Sequence, residues 1–291
     1  MIDLQLDQLR ALSAVIDSGS FEAAAQRLAV TPSAVSQRIK ALESAVGRVL
    51  VRRVRPATAT PSGTTLLRLA KQLDVLVAES VEELALEGGD RVVIPLVINA
   101  DSLATWVLPG LAALSGEVTL QVLREDERHS AALLRDGLVM AAVTSVREPV
   151  QGCVSRPLGA MAYRPLCTPE FAARWFAAGA DAEALATAPV VQFDAKDELQ
   201  DDHLRARGVD PGAPPRHRVP GSGPFLEAVR LSMGWGMVPD LQSEAAREAG
   251  ELIALDPAVR RVDLYWQQWS LRSAALDRVA AAVAAAASGL R

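Results

Sequence analysis

The stretch Ser20-Phe-Glu-Ala-Ala-Ala-Gln-Arg-Leu-Ala-Val-Thr-Pro-Ser-Ala-Val-Ser-Gln-Arg-Ile-Lys40 decides how this chain is read. It holds two short helical signals with a tight connection between them. Thr31 offers its hydroxyl to a free amide of the second helix's first turn. Pro32 suits the first helical position, where a missing N–H costs nothing. Val35, Ile39, Leu42 and Val46 recur at 4-3-4 spacing and predict one buried stripe. The opposite face presents Ser33, Ser36, Gln37, Lys40 and Ser44. Hydroxyls, an amide and a cation are the groups that bond base edges and phosphates when a helix lies in a major groove. Ala23, Ala24 and Leu28 keep the inner side of the first helix small, so the two helices can cross closely. The pattern predicts a helix-turn-helix; the plainer alternative is a helical hairpin with no nucleic-acid partner.

Charge separates the two. Residues 27–55 carry Arg27, Arg38, Lys40, Arg48, Arg52, Arg53 and Arg55 against one acid, Glu43, a local balance of +6 in a chain whose net charge is −5. The first 60 residues hold eight cations and five acids, which leaves the rest at −8. A basic patch on and just after a candidate recognition helix is the electrostatic footprint of nucleic-acid binding. Outward from the motif, Asp7 to Ser18 predicts a preceding helix stopped by Gly19. Gly47 ends the recognition helix. Val49–Arg55 and Thr58–Thr60 read as the two arms of a β-wing around Pro56, with Arg52, Arg53 and Arg55 placed for phosphates.

A second capped start at Thr60-Pro61 opens an amphipathic run to about Leu86, striped by Leu66, Leu69, Leu73, Leu76, Val77 and Leu84. A helix of about 25 residues with one apolar stripe is unstable alone in water, so pairing with a second copy is expected, with packing on its own body as the alternative. Gly88-Gly89-Asp90 signals a hinge. From Val92 onward short apolar runs alternate with helical stretches: Val92–Ile98, Val118–Leu123, Val139–Val143, Pro165–Cys167, Val190–Phe193, Met237–Val238 and Leu264–Trp266 as strands. This alternation predicts parallel sheets flanked by helices, in two α/β lobes with a ligand cleft at the strand ends. The expected division is therefore a winged helix-turn-helix at 1–60, a linker and dimerisation helix at 61–88, and a two-lobed effector region at 89–291.

No apolar run approaches the roughly 20 residues that span a bilayer, and the start Met1-Ile-Asp-Leu-Gln-Leu-Asp lacks the regions of a signal peptide. A cytoplasmic protein is expected, with Cys153 and Cys167 as free thiols. No nucleophile–base arrangement, phosphate loop or metal-ligand spacing emerges, so neither enzymatic activity nor a cofactor is expected; His129, His203 and His217 are scattered. Gly234-Trp235-Gly236-Met-Val-Pro239 reads as a structural strand and turn.

The order of parts and the residues Gln8-Leu-Arg-Ala-Leu12, Gly19-Ser-Phe21, Ala23-Ala24, Pro32-Ser-Ala-Val-Ser36, Ile39, Leu42-Glu43, Gly47, Leu50, Arg53, Thr60 and Gly63 resemble the LysR-type transcriptional regulators over the full length. Asn99-Ala-Asp-Ser-Leu-Ala-Thr-Trp106, Glu125-Asp-Glu127, Gly137–Thr144 and Leu264–Gln268 are similar to the LysG/ArgP-type branch, which regulates export of basic amino acids. The resemblance implies a homodimer or homotetramer that binds promoter DNA, senses L-lysine or L-arginine and activates an exporter gene. One departure is Gly223-Pro224, where that branch tends to carry a glutamate and a small spacer.

For such an effector, a carboxylate calls for helix-start amides and hydroxyls, which Ser102, Thr144, Ser145 and Ser222 offer. The side-chain cation calls for acids, which Asp101, Glu125 and Asp126 offer. Trp106 is a candidate cover for the aliphatic stem, though a core position suits it better, and Glu125–Glu127 also fits a solvated helix start. The competing functional readings are a cytosolic small-molecule-binding protein and a nucleoid-type DNA-binding protein without an effector.

Overall fold

Gly19 and Gly47 adopt left-handed backbone, with φ of 70° at each, and so close the first and third helices where the sequence predicts their ends. The computed structural model describes residues 4–84, 92–125 and 130–290. Leu86, the Gly88-Gly89-Asp90 signal, Asp126, Glu127 and His129 lie outside the described residues. Helices α1 (Leu6–Ser18), α2 (Phe21–Arg27) and α3 (Pro32–Val46) precede a short antiparallel hairpin of β1 (Val51–Arg52) and β2 (Thr58–Ala59). Ser20 and Thr31 cap α2 and α3, accepting from the amides of Ala23 and Ala34 at 3.1 Å each. Leu9, Leu12, Val15, Val35, Ile39, Leu42 and Leu50 form the buried core of this head.

Helix α4 (Pro61–Glu83) leaves the wing at Gly63, where a Cβ would stand 2.0 Å from the Leu50 carbonyl oxygen. Only glycine permits that approach. The expected stripe behaves differently from a free dimer face. Leu66, Leu69 and Leu73 pack against the core of the chain's own head, with Ala70 buried between the two. Arg10 and Asp74 (2.9 Å) and Lys71 and Asp17 (2.8 Å) tie α4 to α1. The other side of α4 faces the second domain, where Val75 and Ala78 join the larger core. Lys71 also donates to the Leu138 carbonyl (3.1 Å), and Glu79 accepts from the Ser273 hydroxyl (2.6 Å) and the Ala275 amide (2.8 Å). Packing on its own body thus takes up much of the stripe, while Leu84 remains 68 % exposed.

The second domain runs β3 (Val93–Ile98), α5 (Ala100–Thr105), α6 (Val107–Ala112), β4 (Thr119–Arg124), α7 (Ser130–Arg135), β5 (Ala141–Thr144), β6 (Cys153–Cys167), α8 (Pro169–Trp175), α9 (Ala182–Thr187), β7 (Val190–Gln192), α10 (Leu199–Ala206), β8 (Arg216–Arg218), α11 (Ser222–Arg230), β9 (Gly236–Pro239), α12 (Asp240–Glu248), β10 (Ile253–Ala254), β11 (Arg260–Trp269) and α13 (Ala274–Ala286). Two lobes result, but the sheet is mixed rather than parallel. In lobe I, β3 pairs parallel with β4 and β5. The long strands β6 and β11 then run antiparallel to each other through both lobes, and β9 and β10 add antiparallel to the distal half of β6. Residues 265–268 of β11 close lobe I against β5, while Arg260–Leu264 belong to lobe II.

The register shifts between Leu264 and Tyr265, opposite Gly159, whose φ is 123° and where a Cβ would meet Leu290 at 2.7 Å. A bulge and a glycine at the lobe boundary are what two strands need to pass from one twisted sheet into another. Cys153 and Cys167 are free and sit at opposite ends of β6, and burial pushes the Cys167 thiol up to about 12. Among the described residues no helix is long and apolar enough to cross a membrane.

Candidate DNA-reading face and ligand cleft

On α3 the side chains of Thr31, Pro32, Ser33, Gln37 and Lys40 are exposed, and Ser36 and Arg38 are half-buried, while Val35, Ile39 and Leu42 are fully buried. Val46, the fourth member of the expected stripe, is only partly covered. The acid within the basic segment is withdrawn from this surface: the Glu43 carboxylate accepts from the Leu50 (2.8 Å) and Val51 (3.4 Å) amides and pins the wing to the recognition helix. Arg52, Arg53 and Arg55 are exposed on the wing. The Arg53 guanidinium lies over the Phe21 ring, 4.7 Å from its centroid, which sets the wing against α2. Arg38 pairs with Asp7 (3.1 Å) and Arg27 with Asp17 (3.2 Å), so the cations facing outward without an ion pair among the described residues are Lys40, Arg48, Arg52, Arg53 and Arg55. One surface therefore gathers hydroxyls, an amide and cations on two rigid elements, which suits phosphate positioning and base readout.

Between the lobes lies a cavity of about 220 Å³. Lobe I contributes Asn99, Ala100, Asp101, Arg124 and Glu125, at the ends of β3 and β4; lobe II contributes the loop from Phe193 to Leu199, together with Phe225, Met237 and Pro239; Tyr163 and Val262 on the crossing strands line its floor. Five carboxylates border this space, those of Asp101, Glu125, Asp194, Asp197 and Glu198, against two cations, Arg124 and Lys196. The Tyr163 hydroxyl donates to Asp101 (3.0 Å), and Lys196 reaches across the cleft to Glu125 (3.0 Å). Asp197 accepts from the Phe193 (3.0 Å) and Leu199 (3.1 Å) amides. Burial nevertheless pushes its carboxyl above the ordinary value, and the negative charge of Asp101 adds to that, while the two amides act the other way. Crowded, partly desolvated acids beside the apolar side chains of Phe193, Phe225 and Met237 make a site suited to a cation on an aliphatic stem.

The sequence-predicted effector residues divide. Asp101 and Glu125 come together in the cleft; Asp126 lies outside the described residues. Ser102 is fully buried, its amide taken by the Asn99 side chain (3.1 Å) and its hydroxyl 3.6 Å from the Met161 sulfur, so it does not line the cavity. The Thr144 hydroxyl accepts from the Val146 amide (3.2 Å), and neither Thr144 nor Ser145 is among the lining residues. Ser222 donates to Gln242 (3.0 Å) at the start of α11, whereas Phe225, one turn on, reaches the cleft. Trp106 belongs to the core of lobe I. A Cβ at Gly223 would meet nothing within 4 Å. Sequence reading missed Phe193–Leu199, Tyr163 and Met237. The signal for the first was the position of Phe193-Asp-Ala-Lys-Asp-Glu198 directly after an apolar strand, the place where open α/β sheets hold ligands.

A winged helix-turn-helix, joined by a long helix to a two-lobed ligand domain, defines a DNA-binding regulator of the one-component class. Residues 6–64 match the model of the bacterial regulatory helix-turn-helix protein, lysR family, and residues 92–288 match that of the LysR substrate binding domain. The chain is 46 % identical over 289 residues to the lysine export transcriptional regulatory protein LysG of Corynebacterium efficiens, covering 97 % of this chain and 98 % of that protein. The crystal structure of ArgP from Mycobacterium tuberculosis superposes with a TM-score of 0.88 at 44 % identity, covering 99 % of each chain. Full-length LysG from Corynebacterium glutamicum with bound effector Arg gives 0.79 at 39 % identity, covering 99 % of this chain and all of that one. The chain belongs to the LysR family of transcriptional regulators.

Proposed function

We propose that this regulator senses a basic amino acid, L-arginine or L-lysine, and activates transcription of an amino-acid exporter gene. The observation that carries the reading is the convergence of Asp101, Glu125, Asp194, Asp197 and Glu198 on one cleft. A neutral or acidic ligand brings no positive charge to these carboxylates, whereas a guanidinium or ammonium does. Arg124 offers the α-carboxylate a partner at the same cleft. The arginine bound to LysG of Corynebacterium glutamicum and the export role in the name of the Corynebacterium efficiens relative support the same reading.

On the DNA side, Ser33, Ser36 and Gln37 read bases from α3, and Thr31, Arg38, Lys40, Arg52, Arg53 and Arg55 hold phosphates, with Pro32 starting the helix at the groove. The head at 1–60 acts in the cytoplasm as part of a homodimer or homotetramer built through the linker at 61–88, and the effector region at 89–291 sets the angle between lobes and so the spacing of heads. Fluorescence anisotropy of the full chain on its own upstream DNA, at fixed salt and with or without arginine or lysine, tests the proposal. The expected result is sequence-selective binding whose affinity or stoichiometry changes with either amino acid and not with glutamate. No selectivity over random DNA at moderate salt contradicts it.

A further inference from the structure

The cleft contains an ammonium of the chain's own. Lys196 extends from the loop after β7 in lobe II to Glu125 at the end of β4 in lobe I, at 3.0 Å. It carries the same group as the side chain of lysine and sits on an acid that borders the ligand space. Its backbone is fixed: the Asp194 carboxylate accepts from the Lys196 amide (2.7 Å) and the Asp197 amide (3.1 Å), which locks the turn. The side chain itself is 49 % exposed and Glu125 34 %. An ion pair at that exposure contributes little to stability, so a competing cation can open it without disturbing the fold.

We propose that Lys196 is a resident counter-ion of the effector site: its ammonium occupies Glu125 while the cleft is empty and is displaced by the side-chain cation of the amino acid that enters. The inference rests on the basic-amino-acid reading above. It assigns Lys196 two consequences. The residue lowers affinity for every cationic ligand, so the regulator responds only above a threshold concentration. It also releases the bridge between lobes when ligand arrives, so that occupancy and lobe closure are linked through one contact.

Calorimetric titration of the full chain with L-arginine and L-lysine tests this, in wild type, Lys196→Met, Glu125→Gln and the double variant. Lys196→Met is expected to tighten binding about two- to fivefold, the equivalent of removing an ion pair of this exposure. Lys196→Arg, which keeps the competing charge, is expected to stay near wild type. Lys196→Met made in the Glu125→Gln background is expected to have little effect, because the charge for which Lys196 and the ligand compete is then gone. Weakened or unchanged binding in Lys196→Met, as a ligand-carboxylate partner would give, overturns the proposal; so does an equal gain in the Glu125→Gln background, which would be a general field effect. If neither amino acid binds wild type or Lys196→Met, the reading of the cleft itself fails and the counter-ion with it. If wild type binds and Lys196→Met gains nothing, only the counter-ion fails.

Discussion

At the DNA-reading face Lys40, Arg48, Arg52 and Arg55 stand in solvent without an ion pair among the described residues, whereas in the cleft Glu125 is held by Lys196 and Asp101 by Tyr163. The two regions are charged in opposite senses and manage that charge differently. The head keeps its one local acid, Glu43, bound to wing amides and leaves its cations outward for a polyanion that covers many of them at once. The cleft is small, and Asp101, Glu125, Asp194 and Asp197 in it are partly buried and supported by amides, a phenol and an ammonium. Affinity at the head is therefore expected to be distributed and salt-sensitive, and affinity in the cleft concentrated in a few groups.

The largest test of that contrast is Asp101→Asn. It removes a partly buried carboxylate facing the ligand, and a loss of about 10- to 100-fold in arginine affinity is expected from a charged hydrogen-bonding partner of this kind, with DNA affinity in the absence of effector unchanged. Titrating both ligands on the same preparation measures it. Gln37→Ala comes next: discrimination between the natural site and one with a single changed base is expected to fall by about 1–3 kcal/mol. Binding to random DNA should hardly move, which competition gel shifts would register. Arg52→Ala should lower affinity for all DNA together and make the slope of log K against log salt shallower by about 0.9, a uniform effect that would blur the contrast if it appeared at one sequence only.

The smallest effect is in pH. Burial and Asp101 raise the Asp197 carboxyl in the folded chain. A raised acid favours its protonated form, so a bound cation, which favours the ionised form, must expel a proton where Asp197 is still protonated. Arginine affinity is therefore expected to fall as pH drops through the range just above an ordinary carboxyl's, with proton release on binding. Asp197→Asn should flatten that dependence; calorimetry in two buffers of different ionisation heat reads the released proton.

The same contrast explains what could be read in the chain. Every signal for the head is local: Ser20, Thr31-Pro32, Gly19 and Gly47 act within a turn of where they stand, and the apolar spacing of α3 needs no distant partner. Strand β6 shows the opposite case. Pro157, Gly159 and Pro165 interrupt Cys153–Cys167, so only its last three residues look like a strand. Its pairing with β11, about 100 residues downstream in sequence, supplies the stability that local propensity lacks. The cleft is legible in part for the same reason. Asp101 and Glu125 follow strands visible in the sequence, whereas Asp194, Asp197 and Glu198 resemble any solvated turn until lobe II brings them opposite Asp101. In α4, helix periodicity shows that a face is covered but not by what, and here Leu66, Leu69 and Leu73 meet the chain's own head.

An acidic cleft of this kind is expected to select a cationic amino acid over a neutral one of the same shape. Calorimetric titration of the full chain with L-arginine and with L-citrulline, its neutral near-isostere, tests it most directly. Arginine is expected to bind at least about tenfold more tightly, since citrulline brings no cation to the carboxylates of the cleft. Citrulline binding as tightly as arginine would contradict it.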